Sequence, residues 1–210
     1  MELGELAAPE HTAVVIIEMQ RGVVGDCAGP MLAPLTTAVE SHQIASRLAE
    51  LADAARRSGI RVVHAVARFR ADWATTPINN PTFAVHRKID PNRIVEGTPG
   101  AEVIAQLTPQ PADIVSVRQH GMSAFTGTDL DAALRALGVR TVVIGGVSLN
   151  LGVPGTANEA INLGYKIAVV RDGVIGVPTE YGEQVLQHTL RPLGPTPTTA
   201  ELVAAWGGAE

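Results

Sequence analysis

Apolar residues along this chain fall into two alternating patterns. Continuous, largely β-branched runs over 13–17, 61–66, 114–117, 141–144 and 166–170 read as strands buried on both faces. Between them, apolar residues recur three and four apart, the spacing of one helix face. Ile44, Leu48, Leu51, Ala52 and Ala55 follow Ser41, which reads as an N-cap, and Gly59 sits where a C-cap belongs. Leu130, Leu134 and Leu137 predict a helix over 129–137, closed by Gly138. Further helices are predicted over 154–163, 179–190 and 199–206, and a short sixth strand over 194–196. Repeated strand–helix units predict an α/β, doubly wound, Rossmann-like three-layer fold with a parallel sheet. The 210 residues suit one such domain.

The least regular stretch is 67–98, which contains Pro77, Pro81 and Pro91. A connection this long serves as a functional loop or lid, or as a strap over a sheet edge or subunit interface. The pattern leaves both open. Phe69, Trp73 and Phe83 within it read as interface anchors.

Composition narrows the function classes. The net charge is −5, so no basic surplus points to nucleic acid. The longest apolar runs are about six residues, against the roughly twenty a membrane span needs. Residues 1–10 are acidic and lack an apolar signal core, so a cytoplasmic location is expected. A single cysteine, Cys27, excludes an internal disulfide and a cysteine-based zinc cluster. No cofactor and no metal are expected.

Open parallel sheets bind ligands at the carboxyl ends of their strands. That rule selects Glu18 and Gln20 after the first strand and Arg68 and Arg70 after the second. It selects Arg118, Gln119 and His120 after the third, and 145–152 after the fourth. Residues 142–153, VVIGGVSLNLGV, read as a strand, a tight turn and a helix, a layout that often presents a nucleophile. The presenting position is Gly152, which has no side chain. The turn lacks the G-x-G-x-x-G spacing of a dinucleotide site. Ser148 has no evident adjacent base, Asn150 reads as a helix cap, and His64 reads as a core or interface residue.

Three segments carry a family resemblance. AVVIIEMQRG, EGTPGAEVIAQLTP and the long block SAFTGTDLDAALRALGVRTVVIGGVSLNLGVPGTANEAINLGYKIAVVRDGV resemble the isochorismatase-like hydrolases, the cysteine hydrolase superfamily. The likeness covers nearly the whole chain. It implies a six-stranded parallel sheet and Asp, Lys and Cys at the ends of strands one, three and four. It implies a cis peptide before the nucleophile turn, here Val147–Ser148. It also implies a small-molecule substrate and a homodimer or homotetramer. Three departures stand out. Glu18 replaces Asp. Counting forward from Asp113 puts Arg118 at the lysine position; counting back from Ser123-Ala124-Phe125 puts Gln119 there. Arg118 is preferred, because a strand fixes register more firmly than a loop. Gly152 replaces the cysteine. Some relatives carry an Asp-x-His metal pair after strand two, and 67–73 has no histidine.

Two readings follow. In one, a hydrolase acts without a thiol on a small anionic molecule, with Glu18 as general acid and Arg118 as charge partner. Gln20, Arg68, Gln119, His120, Val147 and Ser148 then surround the substrate. In the other, the chain is a catalytically silent member, kept as a small-molecule binder or partner subunit.

Overall fold

The five apolar runs become the five strands of one parallel sheet in the computed structural model, which describes residues 2–207. They are β1 (Thr12–Ile17), β2 (Arg61–Ala67), β3 (Ile114–Arg118), β4 (Thr141–Val147) and β5 (Lys166–Ile175). The order is β3-β2-β1-β4-β5 and every neighbouring pair is parallel. Seven helices of seven residues or more connect and cover them. They are α1 (Ala33–Ser41), α2 (Ile44–Arg57), α3 (Pro81–Ile89), α4 (Leu130–Ala136), α5 (Gly152–Asn162), α6 (Thr179–Val185) and α7 (Thr199–Gly207).

Strand periodicity divides the core in two. Val14, Ile16, Val62 and Ala168 pack with Leu48 and Leu51 of α2 and Leu202 of α7. Ala13, Val15, Ile144 and Val169 pack with Leu134 of α4 and Val153 and Ala157 of α5. Both faces are therefore dry, which is why the strands are apolar without alternation. Leu48 and Leu51 are fully buried, and each contributes about 2 kcal/mol of hydrophobic stabilisation. Among the described residues no helix is long and apolar enough to cross a membrane.

The chain runs outward from β1 through β2 to β3, then returns to place β4 on the other side of β1. The carboxyl ends of β1 and β4 thus flank the switch point, where the crevice of a doubly wound sheet opens. Gly146 permits this junction. It sits at φ +102°, and a Cβ there would lie 2.2 Å from the Ile17 carbonyl oxygen.

The sheet has five strands, not six. The backbone at 195–197 does run beside β5, and the carbonyls of Pro195 and Pro197 accept from Val169 N–H at 3.0 Å and Arg171 N–H at 2.9 Å. Neither proline has an N–H to return, so the pairing stays one-sided and no strand forms. Ser41 is the last residue of α1 and caps nothing; Gln43, left-handed at φ 55°, precedes α2. The helix expected over 179–190 stops being α-helical at Val185 and continues as a π turn over Leu186–Leu190. The irregular stretch 67–98 contains α3. Its aromatics face inward: Phe69 packs tilted against Trp73 at 4.7 Å and edge-on against Phe83 at 5.7 Å, ring centre to ring centre. All three are at most 5% exposed, so they fasten the strap to its own chain rather than anchor a partner.

Candidate active site

Glu18 follows β1 directly. Its N–H still bonds the Ala65 carbonyl at 2.9 Å, but its φ of 50° is left-handed. A non-glycine residue pays roughly 1 kcal/mol for that conformation. The turn takes the side chain off the end of the sheet. Arg118 ends β3, two strands away, and is 7% exposed. Its Nη2 meets Glu18 Oε1 directly, and its Nη1 donates to the Gly121 carbonyl. Burial lowers the guanidinium pKa to about 10, which leaves it a cation at neutral pH.

The third element is the turn between β4 and α5. The Val147–Ser148 peptide is cis, as the family resemblance implies. The turn is pinned to the end of β5: Leu149 N–H donates to Ile175 O at 2.8 Å. The Asn150 side chain donates to Val177 O at 2.6 Å and accepts from Val177 N–H at 2.9 Å. Asn150 is therefore a clamp between two loops and not the cap of α5. Gly152 opens α5; Val153 N–H donates to Ser148 O at 3.1 Å and Pro154 has no N–H, so the first turn keeps the Gly152 N–H for this end of the sheet. A Cβ on Gly152 would lie 3.2 Å from Val147 O and 3.5 Å from Ile17 Cγ2.

Glu18, Arg118, Val147, Ser148 and Gly152 line one cavity of about 430 Å³. The other four expected ligand contacts lie elsewhere. Gln20 is fully buried and its amide is spent on backbone: it accepts from Ala67 N–H at 2.8 Å and donates to Ala67 O at 2.9 Å and Ala101 O at 3.0 Å. It stitches the end of β2 to the segment before β3. Arg68, whose Nε is buried without a partner, does not line the cavity. Gln119 accepts from Thr75 Oγ1 at 2.5 Å, and its carbonyl accepts from Thr76 Oγ1 at 2.7 Å. His120 packs where a Cβ on Gly127 would be, 2.6 Å from its ring. Between the two candidates for the lysine position, Arg118 is the one that meets Glu18. Cys27 is half-buried in the loop after β1 and does not line the cavity. Among the described residues no group of three or more His, Cys, Asp or Glu is placed to hold a metal ion.

The rest of the lining draws on the irregular stretch, for which the sequence left a functional loop or lid open beside a strap. Phe69, Phe83, His86, Asp90, Arg93 and Ile94 all line the cavity. A local signal for this wall is present in the sequence. Asn80-Pro81 is a cap followed by a first-turn proline, and Asn80 Oδ1 accepts from Phe83 N–H at 3.0 Å. Phe83 and His86, three apart, then fall on one helix face.

Comparison with known proteins places the chain in a family. The isochorismatase domain model matches residues 12–201. An uncharacterized isochorismatase family protein of Bacillus subtilis, YwoC, is 29% identical over 197 residues, covering 92% of this chain and 93% of that protein. The ureidoacrylate amidohydrolase RutB of Rhizobium rhizogenes is 26% identical over 196 residues, covering 87% and 77%. The crystal structure of a cysteine hydrolase from Pseudomonas syringae pv. phaseolicola superposes with a TM-score of 0.84 at 23% identity, covering 98% and 96%. With the domain match running from β1 into α7, this chain belongs to the isochorismatase family.

Proposed function

We propose that this protein is a hydrolase that cleaves the C–N bond of a small anionic amide or ureide without a thiol nucleophile. One observation carries the reading: the Glu18–Arg118 ion pair faces the same cavity as Gly152, while the sole cysteine lies outside it. The contact with Arg118 favours the charged carboxylate. Glu18 therefore acts as base before it acts as acid. It takes a proton from water as the water oxygen bonds to the substrate carbonyl carbon. The Gly152 N–H, at the start of α5, faces the developing oxyanion. The C–N bond then breaks, and the leaving nitrogen takes the proton back from Glu18. Gly152 leaves open the space the water needs.

This order of proton transfers separates amides from enol ethers, whose cleavage starts with protonation of carbon by a neutral acid. The ion pair disfavours that start, and the amidohydrolase relative supports the amide reading. The ion pair also favours a second reading, in which Glu18 and Arg118 only satisfy each other in a silent binding protein.

A panel of N-carbamoyl and N-acyl amino acids, with enol-ether carboxylates beside them, tests the proposal. The wild type is expected to release amine from one or more amides, and Cys27→Ser to keep the same kcat/KM. Loss of activity in Cys27→Ser, or a covalent thioester seen by intact mass, contradicts the thiol-free route. No turnover anywhere on the panel leaves the silent reading.

A further inference from the structure

The cavity lining also holds polar side chains that the reaction above does not use. Arg93 and His86 stand on the strap wall. Arg93 makes no side-chain hydrogen bond or ion pair among the described residues, and its Nε is buried without a partner. Asp90 is near enough to favour its charge but does not bond it. Burial works against that charge and lowers the Arg93 pKa. A guanidinium so placed has a carboxylate nearby but none of the bonded acceptors that normally offset burial. His86 is 8% exposed, and its Nε2 is also buried without a partner. Burial first, and the Arg93 charge second, push its pKa down to about 4, so the ring is neutral at pH 7. Arg93 is thus the cation of this group, and Asp90, which lines the same cavity, offsets its charge without taking up its N–H donors.

The backbone holds the position firmly. The Arg93 carbonyl fills the space beside Gly22 and Gly100; a Cβ on Gly100 would lie 1.9 Å from it, and one on Gly22 2.8 Å. His86 is locked by ring contacts at 5.4 Å to Phe69 and 5.2 Å to Trp73. Around both, Phe69, Phe83 and Ile94 make the wall apolar. An apolar cleft with one guanidinium whose N–H donors are unspent is shaped for a small carboxylate with an apolar body.

We infer that Arg93, assisted by His86 Nε2, is the subsite that holds the carboxylate of the substrate, with its scissile group turned toward Glu18. The orientation of the scissile group rests on the hydrolase reading. The carboxylate subsite itself does not.

Equilibrium binding tests the subsite apart from catalysis. Benzoate and its neutral counterpart benzyl alcohol are titrated into wild type, Arg93→Gln, Arg93→Lys and His86→Phe. The wild type is expected to prefer benzoate by at least tenfold. Arg93→Gln abolishes that preference and leaves benzyl alcohol affinity unchanged, which reports an intact cavity. Arg93→Lys restores part of it. His86→Phe, close in shape, weakens benzoate about threefold. A wild type without preference, or an Arg93→Gln variant that keeps it, overturns the inference. Should Arg93→Gln not fold, retention of the full preference in both Arg93→Lys and His86→Phe overturns it equally. Turnover on the amide panel does not enter these outcomes.

Discussion

Two carboxylate–guanidinium pairs flank β2 and β3, and they are built for opposite ends. Asp113, just before β3, is spent: Arg56 bonds it at 2.7 and 3.2 Å, Gln110 N–H at 2.8 Å and His64 Nε2 at 3.2 Å. Its side chain is 1% exposed and does not line the cavity that Glu18 faces. Burial by itself would raise its pKa, but the bonds from Arg56, Gln110 and His64 outweigh this and lower it. Glu18, at the other end of the sheet, has one charged partner and a side chain 19% exposed to the cavity. A carboxylate with every acceptor position filled holds structure. One with acceptor positions left over can receive a proton from water or substrate. The same residue types thus part company on coordination, not on charge.

Removing each carboxylate sharpens this contrast. Asp113→Asn removes the charge that Arg56 and His64 share and puts an NH2 donor where one acceptor oxygen was. Chemical denaturation is expected to show a loss of about 3 kcal/mol, with kcat per folded molecule unchanged. A stable Asp113→Asn variant with lost activity would erase the distinction.

The histidines give the next effect. In the unfolded chain a histidine binds a proton near pH 6.5, whereas folded His86 refuses it until about 4. Stability therefore falls as pH falls from about 6.5 to 4, and is regained as pH rises through that window. His64 is lowered too, chiefly by burial, and pushes in the same direction. His86→Phe is expected to flatten part of this slope in melts between pH 7 and 4; an unchanged slope contradicts neutral burial of His86.

Gly152→Ala gives the smallest effect. The added carbon sits 3.2 Å from Val147 O, so the fold is expected to keep its melting temperature within a few degrees. Crowding of the attacking water is expected to lower kcat/KM about tenfold. An undiminished kcat/KM would show that the bare position is not used.

Much of this was legible in the residues. Continuous β-branched runs marked all five strands, because a strand buried on both faces has no polar alternation to confuse it. The strand-end rule then selected Glu18, Arg118 and Gly152, which share the cavity. What failed to read was set by distant partners. Gln20 looks like a ligand contact until its bonds to Ala67 and Ala101, 47 and 81 residues away, are seen. The strand expected over 194–196 failed because hydrophobic pattern does not record missing N–H donors. His86 and Arg93 escaped notice because 67–98 has no sustained periodicity, and only folding brings α3 and the residues after it against the end of the sheet.

The most direct test is the kcat/KM of Glu18→Gln on the best amide of the panel, measured beside its melting temperature. The account predicts a fall of at least a hundredfold with a fold that stays intact. A Glu18→Gln variant that is well folded and turns over at the wild-type rate would contradict it.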